Sequence, residues 1–341
     1  AQAGRMKFGA VPLAEAEGAL LAHSRLLPSG KLAKGTALTT DMLAEMKAEG
    51  TTEVIVARLD DNDSTENQAA GAVAAALVPD PGAAGLKLTE PFTGRVNLVA
   101  EVAGIAEFDE AAIHRLNLVD PMLTLATVPQ YTRVTPGMLV GTVKIIAYAV
   151  SNAAVAAAEQ AARGAVRIRQ PKLSRADLII TELSEADARL RDKSTAAIES
   201  RLSQLDMTLE AVRVTGHYAI EIAAEIRRSN AELVLILTAS ATSDIDDVGP
   251  TAVREAGGRI ERFGMPVDPG NLLFLGSLGE RPVIGLPGCA RSPALNGADW
   301  VLERVVCGVP PSAEDIAHMG VGGLLKEIPS RPQPRRGKRP A

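Results

Sequence analysis

Apolar and polar positions follow different patterns in the two halves of the chain. From residue 176 onward, short apolar runs alternate with segments in which apolar residues recur every three or four positions. The runs at 177–181 and 232–238 are apolar almost throughout, as expected for strands that are covered on both faces. Strands and helices that alternate in this way predict an α/β fold, with a doubly wound, mostly parallel sheet over residues 176–310.

The first half of the chain has a weaker periodicity. Leu13, Ala16 and Leu20 stand at helical spacing and predict a helix over residues 11–27. A second helix, a strand and an Ala-rich helix are predicted before the turn-rich segment 79–85, which indicates a linker. The chain is therefore predicted to begin with an α+β segment over residues 6–85.

Residues 86–150 are predicted to form a mixed β domain, because strand-like segments flank a short helix that contains His114. This histidine is predicted to be structural, since no second metal ligand stands at a suitable spacing. A helical connector is predicted over residues 151–175. The basic tail 328–341 is predicted to be flexible.

Composition narrows the possible partners. The chain of 341 residues has a net charge of −5, one Trp, three Tyr and five Phe. A nucleic-acid-binding protein would need a basic face and stacking rings, so no nucleic-acid partner is expected. Residues 138–158 are apolar but contain Lys144, Ser151 and Asn152, which argues against a membrane partner. Two cysteines do not make a disulfide framework, so a reducing, cytoplasmic location is expected.

The segment 281–293 (RPVIGLPGCARSP) combines a short apolar strand with a tight Pro-Gly turn. A helix is predicted to begin near Ser292 and Pro293. Its first backbone N–H groups, the positive end of its dipole and the neighbouring Arg291 would together form an anion site. The alternative is a compact corner between strand and helix, in which the glycines serve packing alone.

Ligands of doubly wound sheets bind beyond the carboxyl ends of the parallel strands. Four predicted loops converge there, at residues 182–194, 239–247, 265–271 and 287–291.

The second and third of these loops carry carboxylates. Asp244, Asp246 and Asp247 follow small hydroxyl residues, and Asp268 stands in the third loop. Grouped aspartates beside a phosphate site suit a magnesium ion. The alternative for these aspartates, and for Asp247 first of all, is capping of the helix that follows.

Cys289 in the fourth loop is a candidate nucleophile, because the amino end of a helix lowers the pKa of a thiol. His217 is the candidate base, although it is distant in sequence. The alternative is a small packing residue that leaves the backbone amides accessible.

Three stretches carry a family resemblance. Residues 285–288 read GLPG, residues 265–271 read MPVDPGN, and residues 238–246 read TASATSDID. They are similar, in that order, to the GLPG turn, the Met-x-Pro-Gly-Lys loop and the T-x-G-G-x-S-x-G-x-x-D segment, or close variants of it, in the molybdopterin-binding family. The chain thus resembles the domain shared by molybdopterin adenylyltransferases and molybdotransferases, in a variant that can precede a nucleotidyltransferase domain.

The match has departures. Thr238, Ser243 and Asp246 fit the family pattern, but Ser240 and Ala241 replace its glycine pair. In the family this pair lets the backbone close on the pterin or its phosphate, and two Cβ atoms would narrow that approach. The other replacements are Ile245 for a glycine, Asn271 for the lysine, and Cys289-Ala290 for Asn-Pro.

The resemblance implies roles for named residues. The phosphate would be held through backbone and hydroxyl groups of Gly288, Cys289, Ala290 and Ser292, with Arg291 adding charge. Thr238, Ser240 and Ser243 would line the pterin, and Asp268 would belong to the same binding site. Asp244 and Asp246 would bind Mg²⁺ and serve catalysis.

The function that the resemblance implies is binding of molybdopterin, or of its nucleotide form, in molybdenum-cofactor biosynthesis. The chain would act as a carrier or as the binding half of a transferase. One alternative is an active molybdopterin adenylyltransferase or molybdotransferase that uses Mg²⁺ with ATP or CTP. Another is a non-catalytic oligomeric scaffold or sensor. The implied partners are further copies of the chain, a nucleotidyltransferase domain or a molybdoenzyme.

Overall fold

The structure is a computed structural model that describes residues 7–327. The predicted flexible tail 328–341 lies outside the described residues. Contacts between residues divide the chain into two compact units, Ala1–Ile168 and Arg169–Ala341. No helix within residues 7–327 is both long and apolar enough to cross a membrane.

The first unit opens with a small sheet of order β1-β5-β2, a β-hairpin and one helix. These elements are β1 (Lys7–Pro12), β2 (Leu20–Leu21), β3 (Arg25–Leu27), β4 (Gly30–Leu32), α1 (Thr40–Ala48) and β5 (Glu53–Arg58).

The helix predicted over residues 11–27 is wrong. That stretch instead contains the end of β1, a 3-10 turn at Leu13–Glu15, and the strands β2 and β3. Gly18 has a φ of 75°, in the left-handed region that ends a right-handed helix. Leu13 and Leu21 are nevertheless buried in one small core, so the apolar spacing marked core positions but not a helix.

The remainder of the first unit is a mixture of short strands and helices around a second core. Its strands are β6 (Asp63–Thr65), β7 (Leu86–Leu88), β8 (Arg95–Ala100), β9 (Gly104–Phe108), β10 (Leu123–Thr127), β11 (Arg133–Val134), β12 (Leu139–Ile145), β13 (Ala149–Ser151) and β14 (Val166–Arg169). Its helices are α2 (Glu66–Leu77), α3 (Pro81–Ala84), α4 (Glu110–Val119) and α5 (Asn152–Ala161).

This core does not follow the predicted boundary at residue 85. Val73 and Leu77 of α2 are buried together with Leu98 of β8 and Val143 of β12. Ala158 of α5 belongs to the same core, although it was predicted to lie in a separate connector over 151–175. Small side chains on both helices allow this close packing, which links segments far apart in sequence.

The second unit contains one sheet and five helices within its described residues. The strands are β15 (Arg175–Glu182), β16 (Thr208–Gly216), β17 (Leu233–Leu237), β18 (Arg259–Phe263), β19 (Phe274–Leu278) and β20 (Arg281–Gly285). The helices are α6 (Glu185–Ser203), α7 (Ala219–Arg228), α8 (Val248–Glu255), α9 (Gly297–Val306) and α10 (Ala313–His318).

The six strands form one sheet in the order β16-β15-β17-β20-β19-β18. β15 is parallel to β16 and β17, and β17 is parallel to β20. Only β19 runs against its two neighbours. The predicted α/β class and the predicted mostly parallel sheet are confirmed.

Helices cover both faces of this sheet. Every residue of β17, Leu233–Leu237, is buried, which is why its sequence shows no alternation. Leu235 packs on the side of α6 and α9, and Ile236 packs on the side of α7 and α8.

Candidate functional site

The order of the strands creates a crevice between the carboxyl ends of β15 and β17. The chain leaves β15 through α6 toward β16 on one side, and it leaves β17 through α8 toward β18 on the other. Connections that depart in opposite directions from neighbouring parallel strands leave an opening, which is where such sheets bind ligands. The candidate site is placed at this opening.

One peptide group at the opening joins three parts of the sheet. The carbonyl of Thr238 accepts a hydrogen bond from Nη2 of Arg291 at 3.0 Å. The N–H of Ala239, which belongs to the same peptide group, donates to Oγ1 of Thr181 at 2.8 Å. Oγ1 of Thr181 also lies 2.9 Å from Nδ1 of His217. The residues that follow β16, β17 and β20 thus meet at the end of β15.

Arg291 is the cation of this site. Its Nη1 donates to Oγ of Ser194 on α6 at 2.9 Å, so the guanidinium connects α6 to the end of β17. Burial lowers the pKa of Arg291, and the carboxylate of Asp187 opposes that effect. A guanidinium has more N–H donors than these two contacts use, and it stays charged at neutral pH.

The carboxylate of Asp187 is bound by the residues that immediately precede α6. Its carboxylate accepts hydrogen bonds from the amides of Leu183 and Ser184 and from the Ser184 hydroxyl. The bond from the Leu183 amide is the largest cause that lowers the pKa of Asp187, and the charge of Arg291 contributes to the same lowering. The amino end of α6 is therefore capped from within the chain.

Arg201 fixes the course of the loop after β20. This buried side chain binds Oδ1 of Asp299 through Nε at 2.7 Å. Its two Nη atoms donate to three carbonyls of the loop, those of Ala290 at 2.9 Å, Ser292 at 2.7 Å and Ala294 at 3.0 Å. A loop whose carbonyls converge on one guanidinium cannot direct them along a helix axis.

The helix predicted to begin near Ser292 and Pro293 is wrong for this reason. A 3-10 turn spans Gly288–Arg291, and α9 begins only at Gly297. Asn296 caps α9, and Asp299 returns the bond to the Asn296 amide. The first amides of α9 already have acceptors, because Gly297 donates to the carbonyl of Pro269 and Ala298 to the side chain of Asn296.

The turn at residues 285–291 divides the predicted phosphate contacts into two groups. The amide of Ala290 donates to the carbonyl of Pro287 at 2.9 Å, and the amide of Ser292 donates to that of Cys289 at 3.1 Å. Gly288 and Cys289 are exposed, and a Cβ on Gly288 would meet open space. Gly288 and Cys289 are therefore better placed to contact a ligand than Ala290 and Ser292, whose amides already have acceptors.

Gly285 fits the packing alternative. A Cβ at this position would lie 1.9 Å from the ring of Phe274, which sits in the core. The glycines of the GLPG turn therefore differ in purpose, because Gly285 makes room for an aromatic ring and Gly288 leaves a surface open.

The loop after β17 is organised by internal hydrogen bonds. The hydroxyl of Thr238 donates to the carbonyl of Ser240 at 2.6 Å, and that of Ser243 donates to the carbonyl of Ala241 at 3.2 Å. Asp247 caps α8 and also accepts from the Ser243 amide, as the capping alternative predicts.

Asp244 and Asp246 lie in the same loop but have protein partners. Oδ1 of Asp244 accepts from the Asp246 amide at 2.8 Å, and Oδ1 of Asp246 is 2.9 Å from Nη2 of Arg254. Within residues 7–327, no group of three or more His, Cys, Asp or Glu side chains is arranged to hold a metal ion. The magnesium role of these two residues stays a prediction.

The variant Asp246→Asn tests whether the Asp246 carboxylate contributes to stability or to ligand binding. Its side chain is 84% exposed, so the ion pair with Arg254 is expected to contribute at most about 1 kcal/mol to stability. For the pterin ligand that the resemblance implies, we expect the affinity of this variant to equal that of the wild type, with or without Mg²⁺. Isothermal titration in the presence and in the absence of Mg²⁺ checks this, and Asp206→Asn, at an exposed aspartate outside the crevice loops, is the control. A drop in affinity seen only with Mg²⁺ would instead assign Asp246 to a metal.

Asp268 is paired with the segment at residues 323–326. Its carboxylate is 3.1 Å from Nζ of Lys326, and its backbone bonds to Gly323 and Leu325. The loop reaches α9 through the carbonyl of Pro269, which accepts from Gly297. A ligand contact by Asp268 stays a prediction.

Cys289 is exposed, but loss of hydration at its sulfur raises the pKa of the thiol. The prediction from a helix end was the opposite shift, and no α-helix begins at this residue. His217 binds Thr181 through Nδ1. The geometry therefore favours the alternative, a small residue at an accessible turn.

Sequence reasoning missed Arg201, and it assigned no contact to Thr181 or Ser194, although both lie near positions where the resembling family carries site motifs. Thr181 is a polar residue at the end of an apolar run. Ser194 and Arg201 are buried on the inward stripe of α6, at the spacing of Ala197 and Ile198. Polar residues on an apolar stripe are the signal that could have identified them, because buried polar groups need partners.

Comparison with known proteins adds little to these contacts. No protein-family model and no curated protein matches the chain. Among solved structures, the chain is similar to the molybdopterin biosynthesis moea protein from Pyrococcus horikosii. The identity is 12%, over 92% of this chain and 77% of that chain, and the TM-score is 0.28. A TM-score this low carries no argument, so the fold stands on the sheet order and the site on its own contacts.

Proposed function

We propose that the chain binds molybdopterin, or its nucleotide form, at the crevice between β15 and β17. It would act as a carrier or as the binding half of a transferase in molybdenum-cofactor biosynthesis. The proposal is carried by Arg291, whose guanidinium stands at this crevice and is oriented by Ser194 and the Thr238 carbonyl. The resemblance of the GLPG turn to the molybdopterin-binding family supports the choice of ligand.

The phosphate of the ligand is the group that this site suits best. A guanidinium held at two points loses little conformational freedom when it binds, and its remaining N–H donors match phosphate oxygens. The exposed turn at Gly288 and Cys289 adjoins Arg291 in sequence and leaves room for such a group. The hydroxyl-rich loop at Thr238 and Ser240 would face the pterin.

The enzyme alternative makes a further demand on the site. For Mg²⁺ chemistry with ATP or CTP, Asp246 would have to exchange the guanidinium of Arg254 for a metal ion. Binding of the pterin makes no such demand. Pyrophosphate release from Mg-ATP or Mg-CTP in the presence of molybdopterin would establish the adenylyltransferase or cytidylyltransferase form.

Direct retention of the ligand tests the proposal. The purified full chain would be mixed with molybdopterin, passed through ultrafiltration, and the retained pterin oxidised to its fluorescent derivative. We expect retention of about one pterin per chain at saturation. Serum albumin at equal concentration controls for adsorption. Retention at the albumin level would reject molybdopterin as the ligand.

A further inference from the structure

The peptide group between Thr238 and Ala239 is bound at both of its ends. Arg291 donates to its oxygen, and its N–H donates to Thr181, which contacts His217 in turn. A peptide group is planar and rigid, so a bond at one end fixes the direction of the bond at the other. Arg291 and His217 are thus attached to opposite ends of one rigid plane at the crevice.

The hydrogen of the Thr181 hydroxyl determines which ring nitrogen of His217 carries a hydrogen. The Thr181 side chain is buried, and within residues 7–327 its Oγ1 has two partners, the Ala239 amide and Nδ1 of His217. The amide can only donate, so the hydroxyl accepts from it. A buried hydroxyl hydrogen needs an acceptor, and Nδ1 at 2.9 Å is the acceptor that these contacts provide. In the neutral imidazole, this arrangement leaves Nδ1 without a hydrogen and puts the hydrogen on Nε2.

The hydrogen bonds of this chain all run in one direction. Arg291 donates to the peptide oxygen, the peptide N–H to Thr181, and the Thr181 hydroxyl to His217. Bonds aligned in this way polarise and strengthen one another. The positive charge of Arg291 therefore reinforces the tautomer of His217 with hydrogen on Nε2.

The turn that carries His217 is also fixed. Glu221 accepts from the Gly216 amide at 2.9 Å and from the Thr215 hydroxyl at 3.0 Å. A Cβ on Gly216 would lie 2.5 Å from Oε2 of Glu221, so a larger residue at this position would displace the carboxylate that holds the turn. His217 itself is half-buried, and its Nε2 has no hydrogen-bond partner among the described residues.

We propose that His217 is a further ligand-binding residue, which donates a hydrogen bond through Nε2 to a phosphate oxygen of the bound pterin. Thr181 is its positioning residue, because it selects the tautomer that can donate. The inference rests on the proposed function, since the ligand is the same. The observation that carries it is the shared peptide group at the end of β15, to which Arg291 binds directly and His217 binds through Thr181.

The tautomer is tested without any ligand. Long-range ¹H–¹⁵N NMR spectra of the ¹⁵N-labelled full chain distinguish a ring nitrogen with hydrogen from one without. We expect Nδ1 of His217 to be unprotonated and Nε2 protonated in the wild type and in Thr181→Ser. Thr181→Val, which replaces the hydroxyl with a methyl group, should give a mixture of tautomers. A hydrogen on Nδ1 in the wild type, or no change in Thr181→Val, would overturn the assignment.

Binding is tested by molybdopterin retention at a series of pterin concentrations. His217→Ala should weaken binding about tenfold to a hundredfold, the usual effect of losing one hydrogen bond to a charged group. His217→Gln keeps an N–H donor at the end of the side chain and should recover part of the loss. The matched control is His114→Ala, an exposed histidine of the first unit, which should bind like the wild type.

The outcomes separate the two proposals. If the wild type retains pterin and His217→Ala retains it equally well, the inference fails and the proposed function stands. If the wild type retains none, the proposed function fails, and the ligand role of His217 fails with it. The NMR measurement still decides the tautomer in that case.

Discussion

Replacing Arg201 with methionine should lower the free energy of unfolding of the second unit by about 3–5 kcal/mol, the usual cost of breaking a buried ion pair from one side. Methionine keeps much of the volume but leaves the carboxylate of Asp299 buried without its partner. The carbonyls of Ala290, Ser292 and Ala294 lose their donor as well. We call the contacts of Arg201 with Asp299 and with these three carbonyls the Arg201 clamp. Urea unfolding monitored by Trp300 fluorescence measures the change, because this single tryptophan lies on α9, next in sequence to Asp299.

Two further variants separate the clamp from a general effect of removing an arginine. Arg189→Met changes an exposed arginine of the same helix and should alter stability by less than about 0.5 kcal/mol. The double variant Arg201→Met/Asp299→Leu removes both charges and should recover part of the loss. If Arg201→Met unfolds at the same urea concentration as Arg189→Met, the clamp does not hold the loop.

The clamp also explains why the start of α9 could not be predicted. Ser292 and Pro293 form a typical helix start by local criteria, because serine caps helices and proline suits their first turn. The competing interaction comes from Arg201, 91 residues earlier than Ser292 in the sequence. A local pattern carries no information about a partner at that distance.

The sheet of the second unit was predictable because its signal is local. β17 is a run of five apolar residues, and such a run suits a central strand whatever its neighbours are. The order of strands and helices then follows from their alternation along the chain. The same reasoning fails for β1 and β2, because their partner is β5, which lies about 40 to 50 residues further on for β1 and about 35 for β2.

The sequence predicted where the candidate site lies, but it did not predict which side chains contact each other there. The rule for ligand sites in parallel sheets identified the loops after β15, β17 and β20. It could not show that Thr181 and Arg291 bind the two ends of one peptide group, since that contact joins residues on three separate segments. Nor could it show that Asp246, in the loop before α8, pairs with Arg254 on that helix.

Replacing Arg291 with alanine should weaken molybdopterin binding about tenfold to a hundredfold, because the phosphate loses its charge-assisted donors. Arg291→Lys keeps the charge without the planar fork and should fall between the wild type and alanine. Retention measured over a range of pterin and salt concentrations checks both variants. The ratio of wild-type affinity to Arg291→Ala affinity should decrease as the salt concentration rises, because ions screen a partly exposed charge.

Arg259→Ala is the matched control, because Arg259 is exposed and pairs only with Glu261 among the described residues. It should bind pterin like the wild type.

The double variant Arg291→Ala/His217→Ala should lose less binding free energy than the sum of the two single variants, since both residues act through the peptide group of Thr238 and Ala239. Purely additive losses would mean that the two residues bind the ligand independently. Undiminished binding by Arg291→Ala would place the phosphate elsewhere on the chain, and the crevice between β15 and β17 would lose its assigned ligand.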